Sequence, residues 1–259
     1  MSTMVKNIVG LIVCIVIVHL AYIGYIQPEA KLILEAAQNA GQSAPRNLVV
    51  ILKDYEQELC IILMFWGVFL ILGKCSVILG ERYVFNVDLL EGGTGDKGDL
   101  VSVLKSLESL PIKVKNTPLV RTLMASLRRY LITNNVQDTS DAIESSVDAL
   151  ALKQETENSM IRYLIWAIPS IGFIGTVRGI GQALSMADQA LAGDIAGMTG
   201  SLGIAFNSTL VALLISIGLM FLLNQLQRLQ DGLVVDIQEY CESFLLNRIS
   251  KGGVRTEDS

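Results

Sequence analysis

The sequence predicts an all-α membrane protein with four transmembrane helices, the last two extended into a cytoplasmic helical region. Three observations predict it. The 259-residue chain is 51% hydrophobic and 17% charged, with a mean hydropathy of +0.50, whereas soluble domains average about 25% charged residues. Four apolar runs come close to the roughly twenty residues that a membrane helix needs. The polar stretches after the second and fourth runs keep apolar residues at steps of three and four, the period of a helix.

The first span falls in residues 1–26, apolar from Asn7 to Ile26 and preceded by Lys6. A cleavable signal peptide is the rival reading, but no A-x-A-like site follows the apolar core. His19 lies toward the outer end and reads as an interfacial or packed imidazole rather than a proton relay. Residues 27–58 are polar and mixed, a periplasmic segment with Pro28, Pro45 and a turn at Gly41 to Ser43, flanked by short amphipathic helices. Residues 59–80 form the second span. Its Lys74 lies within about 10 Å of the end at 1.5 Å per residue, so it can reach the headgroups.

Residues 81–162 read as a cytoplasmic helical domain. Glu91 to Asp99 superficially suggests a phosphate loop, but the spacing G-x-x-x-x-G-K-[ST] is absent and a turn is the better reading. Pro118 opens a helix with Leu119, Leu123, Leu127 and Leu131 on one side and Arg121, Arg128 and Arg129 on the other. Asp141-x-x-Glu144 resembles a capping box that starts another helix, one that runs unbroken into the membrane. The third span is 163–186, the periplasmic loop 187–201, the fourth span 202–223. In 224–259, Leu226, Leu229, Leu233, Ile237, Tyr240 and Phe244 form a helical seam. That seam implies packing against neighbours and hence a homo-oligomer.

Lys and Arg counts orient the chain. The segment 81–162 holds ten, the tail from 224 four, the 27–58 segment three and the 187–201 loop none. Both termini are therefore expected to be cytoplasmic in a multi-pass protein of the inner membrane. The net charge of −5 gives no reason to expect nucleic acid as a partner. Four scattered cysteines lack metal-ligand or disulfide spacing, and a single histidine excludes a multi-histidine metal site. No nucleophile–base pair stands out, so an enzyme is not expected and no cofactor is implied.

The third span carries residues that a plain lipid anchor does not need. Pro169, Gly172, Thr176, Gly179 and Ala183 recur at steps of three and four, giving one small face with a hydroxyl near mid-membrane. Gly175-x-x-x-Gly179 lets helix backbones approach closely. The fourth span mirrors it with Ala205, Thr209, Ala212 and Ser216, and Asn207 and Ser208 stand beside Thr209. Matched small faces with mid-membrane threonines suggest a narrow polar path in an interior lined by spans three and four, with the bulkier spans one and two facing lipid. Helix packing inside a bundle is the alternative. Arg178 points away from the threonine face. An unpaired guanidinium in lipid is costly, so pairing at the outer mouth with Asp188, Asp194, Glu56 or Glu58 is expected, or else contact with the headgroups.

The stretch A-I-P-S-I-G-F-I-G-T-V-R-G-I resembles the third-span signature of the MotA/TolQ/ExbB ion-channel family, and I-A-F-N-S-T-L-V-A-L-L-I-S-I-G is similar to that family's last membrane helix. The resemblance covers about residues 140 to 245. It implies a channel subunit that forms a pentamer around two copies of a single-span partner of ExbD, TolR or MotB type. The partner carries a membrane aspartate, and ion passage drives relative rotation. It makes Thr176 and Thr209 pore-facing, with Ser208 and Asn207 beside them, and gives Pro169, Gly172, Gly175 and Gly179 the helix geometry. Arg178 stands where ExbB and TolQ types usually carry an aromatic residue, and Ile204 where ExbB types carry an acidic one. Two spans before the large polar segment resemble MotA topology, yet the rotor-engaging motif is not evident in 81–162. A four-span, non-flagellar stator subunit is the expectation. A flagellar subunit, or a tetraspan scaffold without ion flow, is the alternative. The conducted ion, H+ or Na+, stays open, since Ser208 and Asn207 could also suit sodium.

Overall fold

The computed structural model describes residues 3–39, 47–86, 89, 97–193, 195–246 and 249. Of these residues 93% are helical and none lies in a strand. The helices are α1 (Thr3–Ala21), α2 (Gln27–Asn39), α3 (Leu48–Ile51), α4 (Tyr55–Glu81), α5 (Lys97–Ser109), α6 (Ile112–Lys115), α7 (Pro118–Thr133), α8 (Val136–Glu157), α9 (Ser159–Ser185), α10 (Ala187–Leu191) and α11 (Ala196–Tyr240). Four helical stretches are long and apolar enough to cross a membrane: Val5–Ala37, Tyr55–Phe85, Val136–Ser185 and Ala196–Ser243. The expected all-helical, four-span class is what the chain adopts.

The chain divides into two compact units, one of Met1–Gly73 with Ser159–Asn224 and one of Lys74–Asn158 with Gln225–Ser259. The first holds the apolar helices. Here the helical chain runs on past Pro28. A π-helical turn, Tyr22–Ile26, carries it into α2, with the Gln27 N–H reaching back to the Tyr22 carbonyl. Proline clashes with the carbonyl four residues earlier. That carbonyl belongs to Gly24, within the widened turn, so the helix absorbs the ring without ending. The expected turn at Gly41 to Ser43 lies outside the described residues.

Proline is handled differently inside α9. Pro169 has no N–H, which orphans the carbonyl of Ile165 four residues earlier. The Ser216 hydroxyl of α11 donates to that carbonyl at 2.8 Å, in a buried setting. The donor that the proline removed is thus supplied by the neighbouring helix. Ser216→Ala is expected to lower stability by roughly 1–2 kcal/mol, and thermal unfolding in mild detergent checks it. A Ser216→Ala chain that melts with the wild type would refute this role.

α1 is held to α4 by three contacts along its length. Trp66 Nε1 donates to the Asn7 carbonyl at 3.1 Å. Gly10 leaves room for the Phe69 ring, which would sit 2.5 Å from an added Cβ. His19 Nδ1 lies 2.6 Å from Glu58 Oε1, which ties an otherwise exposed imidazole to the start of α4. The outward side of α1 (Ile8, Ile12, Val16, Leu20) is exposed, as suits a helix against lipid.

The second unit is a helical domain in which α7 packs against α5 and α8. Pro118 occupies the first turn of α7, and Leu119, Leu123 and Leu127 are fully buried. Arg128 donates to Glu108 at 2.6 Å, and this bond holds the Glu108 carboxyl below its usual range. The expected capping box at Asp141 does not start a helix. Asn134, at φ 54°, ends α7, and the Asn135 side chain accepts from the Gln137 N–H at 2.8 Å to open α8. Asp141 sits inside α8 and accepts from Gln137 Nε2 instead. A left-handed residue followed by a capping asparagine is the stronger boundary signal. α8 meets α9 through the single turn residue Asn158, whose amide donates to Gln230 at 2.7 Å.

Two further expectations change. Lys74 pairs with Glu157 at 2.9 Å rather than reaching only to headgroups. Leu226, Leu233, Ile237 and Tyr240 are buried by the chain's own helices, so the seam by itself is no argument for an oligomer. The Phe244 side chain and most of the Glu91 to Asp99 stretch lie outside the described residues, while Lys97 to Asp99 open α5.

Candidate functional site

The small faces predicted on spans three and four meet each other. A Cβ built on Gly172 would lie 2.5 Å from Ala212 Cβ, one on Gly175 would lie 2.5 Å from Ser208 Cβ, and one on Gly179 would lie 2.7 Å from the Ala205 nitrogen and the Ser201 oxygen. Ala205 and Ala212 are wholly buried opposite these glycines. The two small faces therefore meet in backbone-to-backbone contact of α9 with α11 within the chain, an approach that small residues permit.

Thr176 and Thr209 sit at the rim of this seam, half-buried, with their hydroxyls in direct contact. Thr176 Oγ1 also lies 3.1 Å from the Ala205 carbonyl, and Thr209 Oγ1 lies 3.3 Å from the Gly172 carbonyl. Two hydroxyl protons have to serve these acceptors. Thr176 donates to Thr209, which donates to Gly172, or Thr209 donates to Thr176, which donates to Ala205 or to Gly172. The two chains of hydrogen bonds run in opposite directions and differ only by rotation about two C–O bonds.

The neighbours do not join the pair. Ser208 is buried on another side of α11, accepts from Gln57 Nε2 at 3.1 Å and donates to the Ile204 carbonyl at 2.9 Å. Asn207 is half-buried, two residues and so about 200° around the helix from Thr209. Pro169 stays within α9 on the side of Ser216, as described above.

Arg178 finds one of its expected partners. Its Nη2 donates to Glu56 Oε2 at 2.8 Å, and its Nε lies 2.7 Å from Glu56 Oε1, off the N–H axis. Asp54 is 3.6 Å away, and the guanidinium carbon lies 4.7 Å from the Tyr55 ring centre. Glu56 is 1% exposed and the Arg178 side chain 27%, so a buried carboxylate meets a partly exposed guanidinium. Glu58 is bonded to His19, Asp188 is exposed on α10, and Asp194 lies outside the described residues.

A half-exposed hydroxyl pair in two close-packed apolar helices is the site that the comparison with known proteins bears on. Residues 114–239 match the family model of the MotA/TolQ/ExbB proton channel family. No curated protein and no solved structure matches the chain. The MotA/TolQ/ExbB match takes in α7, α8, α9 and most of α11, including Thr176, Arg178 and Thr209. It leaves out α1 and α4, which supply His19, Glu56 and Gln57.

Gln57 is the residue that the sequence reading missed. Glu56 is among the partners expected for Arg178, but Gln57 beside it is given no part. The signal was there in a different form, because two adjacent polar residues in the first turn of a membrane helix must each find a partner.

Proposed function

We propose that the chain is the channel-forming subunit of an ion-driven membrane motor, non-flagellar, working with a single-span partner that carries a membrane carboxylate. The observation that carries this reading is the Thr176–Thr209 hydroxyl pair, half-exposed at the rim of the α9–α11 seam, within the segment that matches a proton channel family. A neutral hydroxyl carries no net charge, so its part is to bond a partner carboxylate in either protonation state. The reversible donor direction of the pair suits that part. To an ionised carboxylate a hydroxyl donates; from a protonated one it accepts.

Ser208 and Asn207 are turned away from the threonines, so the oxygens at the pair are the two hydroxyls and the Ala205 and Gly172 carbonyls, and these do not discriminate protons from sodium. The Lys and Arg distribution supports cytoplasmic termini in the inner membrane. The family supports a homo-oligomer, a pentamer around a partner dimer. The chain moves an ion and carries out no covalent step.

The test is partner-dependent proton flux into vesicles for Thr176→Val combined with Thr209→Val, which keeps shape and removes both hydroxyls. A hydrogen bond to a charged group is worth about 1.5–3 kcal/mol, so the flux is expected to fall by roughly tenfold to a hundredfold. Flux at the wild-type level would sink the reading.

A further inference from the structure

We propose that Glu56 and Gln57 are positioning residues, a two-point clamp by which α4 sets the spacing of Thr176 and Thr209. The two are consecutive, lie in the first turn of α4, and are 1% and 0% exposed. Each grips a different channel helix. Glu56 holds Arg178 on α9, two residues past Thr176. Gln57 holds Ser208 on α11, the residue before Thr209. One helical turn of α4 therefore reaches both threonine-bearing helices next to the threonines themselves.

The packing leaves this arrangement no slack. A Cβ on Gly175, the residue before Thr176, would lie 2.6 Å from Ser208 Oγ and 3.4 Å from Glu56 Cγ. Three helices thus converge on a position with no side chain. The close contacts there join α9 to α11, and α4 meets them through Glu56 Cγ and through the Glu56–Arg178 and Gln57–Ser208 pairs. Buried polar groups stabilise little over an apolar pair of the same shape, but they cost heavily when unpaired. Such contacts select one register of three helices over its neighbours. Both clamp residues lie outside the segment 114–239, so the helix that sets the threonine spacing comes from the part of the chain beyond the family match.

The effect on flux rests on the channel reading above; the effect on spacing does not. The experiment therefore measures spacing directly. In a chain with Cys14, Cys60, Cys75 and Cys241 replaced by alanine, Thr176→Cys and Thr209→Cys place two thiols where the hydroxyls touch. Disulfide formation under copper phenanthroline then reports their distance and angle, which that bond restricts closely. Gln57→Leu and Glu56→Gln are each expected to slow cross-linking about tenfold or more, because small misplacements have large effects on a proximity-limited reaction. Trp66→Phe, which removes an α1–α4 contact elsewhere, is expected to leave the rate unchanged. Exchanging the charges, Glu56→Arg with Arg178→Glu, keeps the pair and should restore most of the rate even if a single variant folds poorly. Wild-type cross-linking in the Gln57 and Glu56 variants, or an exchange variant as slow as the single ones, overturns the clamp. Slow cross-linking together with undiminished flux in the threonine-bearing Gln57→Leu chain leaves the clamp standing and removes the threonines from conduction.

Discussion

Gly179→Val is expected to be the most damaging single substitution in the membrane unit. A Cβ there would lie 2.7 Å from two backbone atoms of α11, the Ala205 nitrogen and the Ser201 oxygen, and 2.8 Å from Ala205 Cβ. Backbone cannot rotate away as a flexible side chain can, so the two helices have to separate, and Gly172 and Gly175 lose their contacts with them. Overpacking of this kind costs about 3 kcal/mol or more, a fall in melting temperature of roughly 6–12 °C for a chain of this size. Gly181 is the internal control. It lies two residues further along the same helix, and a Cβ there meets nothing within 4 Å. Gly181→Val should change stability by no more than about 0.5 kcal/mol. If the two valine variants melted together in mild detergent, close packing at Gly179 would not be what joins α9 to α11.

Removing Arg178 should be about as costly, for an electrostatic reason. Arg178→Ala leaves the Glu56 carboxylate buried without its cation, and breaking a buried pair in this way costs about 3–5 kcal/mol. Asp54, 3.6 Å from the guanidinium, loses a partner too, although it keeps Lys53 at 3.1 Å. Glu56→Ala alone removes the group that needs the pairing, so it should cost less. Combining the two should be less damaging than the sum of the singles by about 2–3 kcal/mol, because the second removal cancels the penalty that the first creates. Arg178→Lys should recover only part of the loss, since an ammonium lacks the fork that meets both carboxylate oxygens. Full additivity in the unfolding cycle would mean that Arg178 and Glu56 act independently, and the pair would then carry no weight in assembly.

These two results also separate the roles that one stretch of sequence holds. Pro169 to Ala183 contains a packing stripe, a hydroxyl and a cation at helical spacing; periodicity puts Thr176 on the small face and Arg178 off it, and the structure puts Thr176 at the rim of that face. Arg178 was assigned an acidic partner on the cost of leaving it in lipid, and Glu56 was among four candidates. Choosing between Glu56 and Asp188 required knowing that α4 begins where α9 nears its end. No local rule contains that. The capping box at Asp141 failed for the opposite reason, since a short motif was matched while the nearer boundary, Asn134 in the left-handed region before the capping Asn135, went unread.

What the sequence determined by itself is everything set by neighbours along the chain. The helices, their spans and the stripes upon them follow from a 3.6-residue period and from hydrogen bonds four residues long. The family resemblance is of the same kind, because it resides in two continuous stretches. What only the tertiary structure decided is which stripe meets which. The two small faces close upon each other, the hydroxyls are left at the rim, Ser208 turns to Gln57, and Ser216 supplies the donor that Pro169 withholds. Those pairings join residues 22 to 151 positions apart. A contact at that separation is selected by the fit of whole helices, where one methyl group at Gly179 outweighs any local preference.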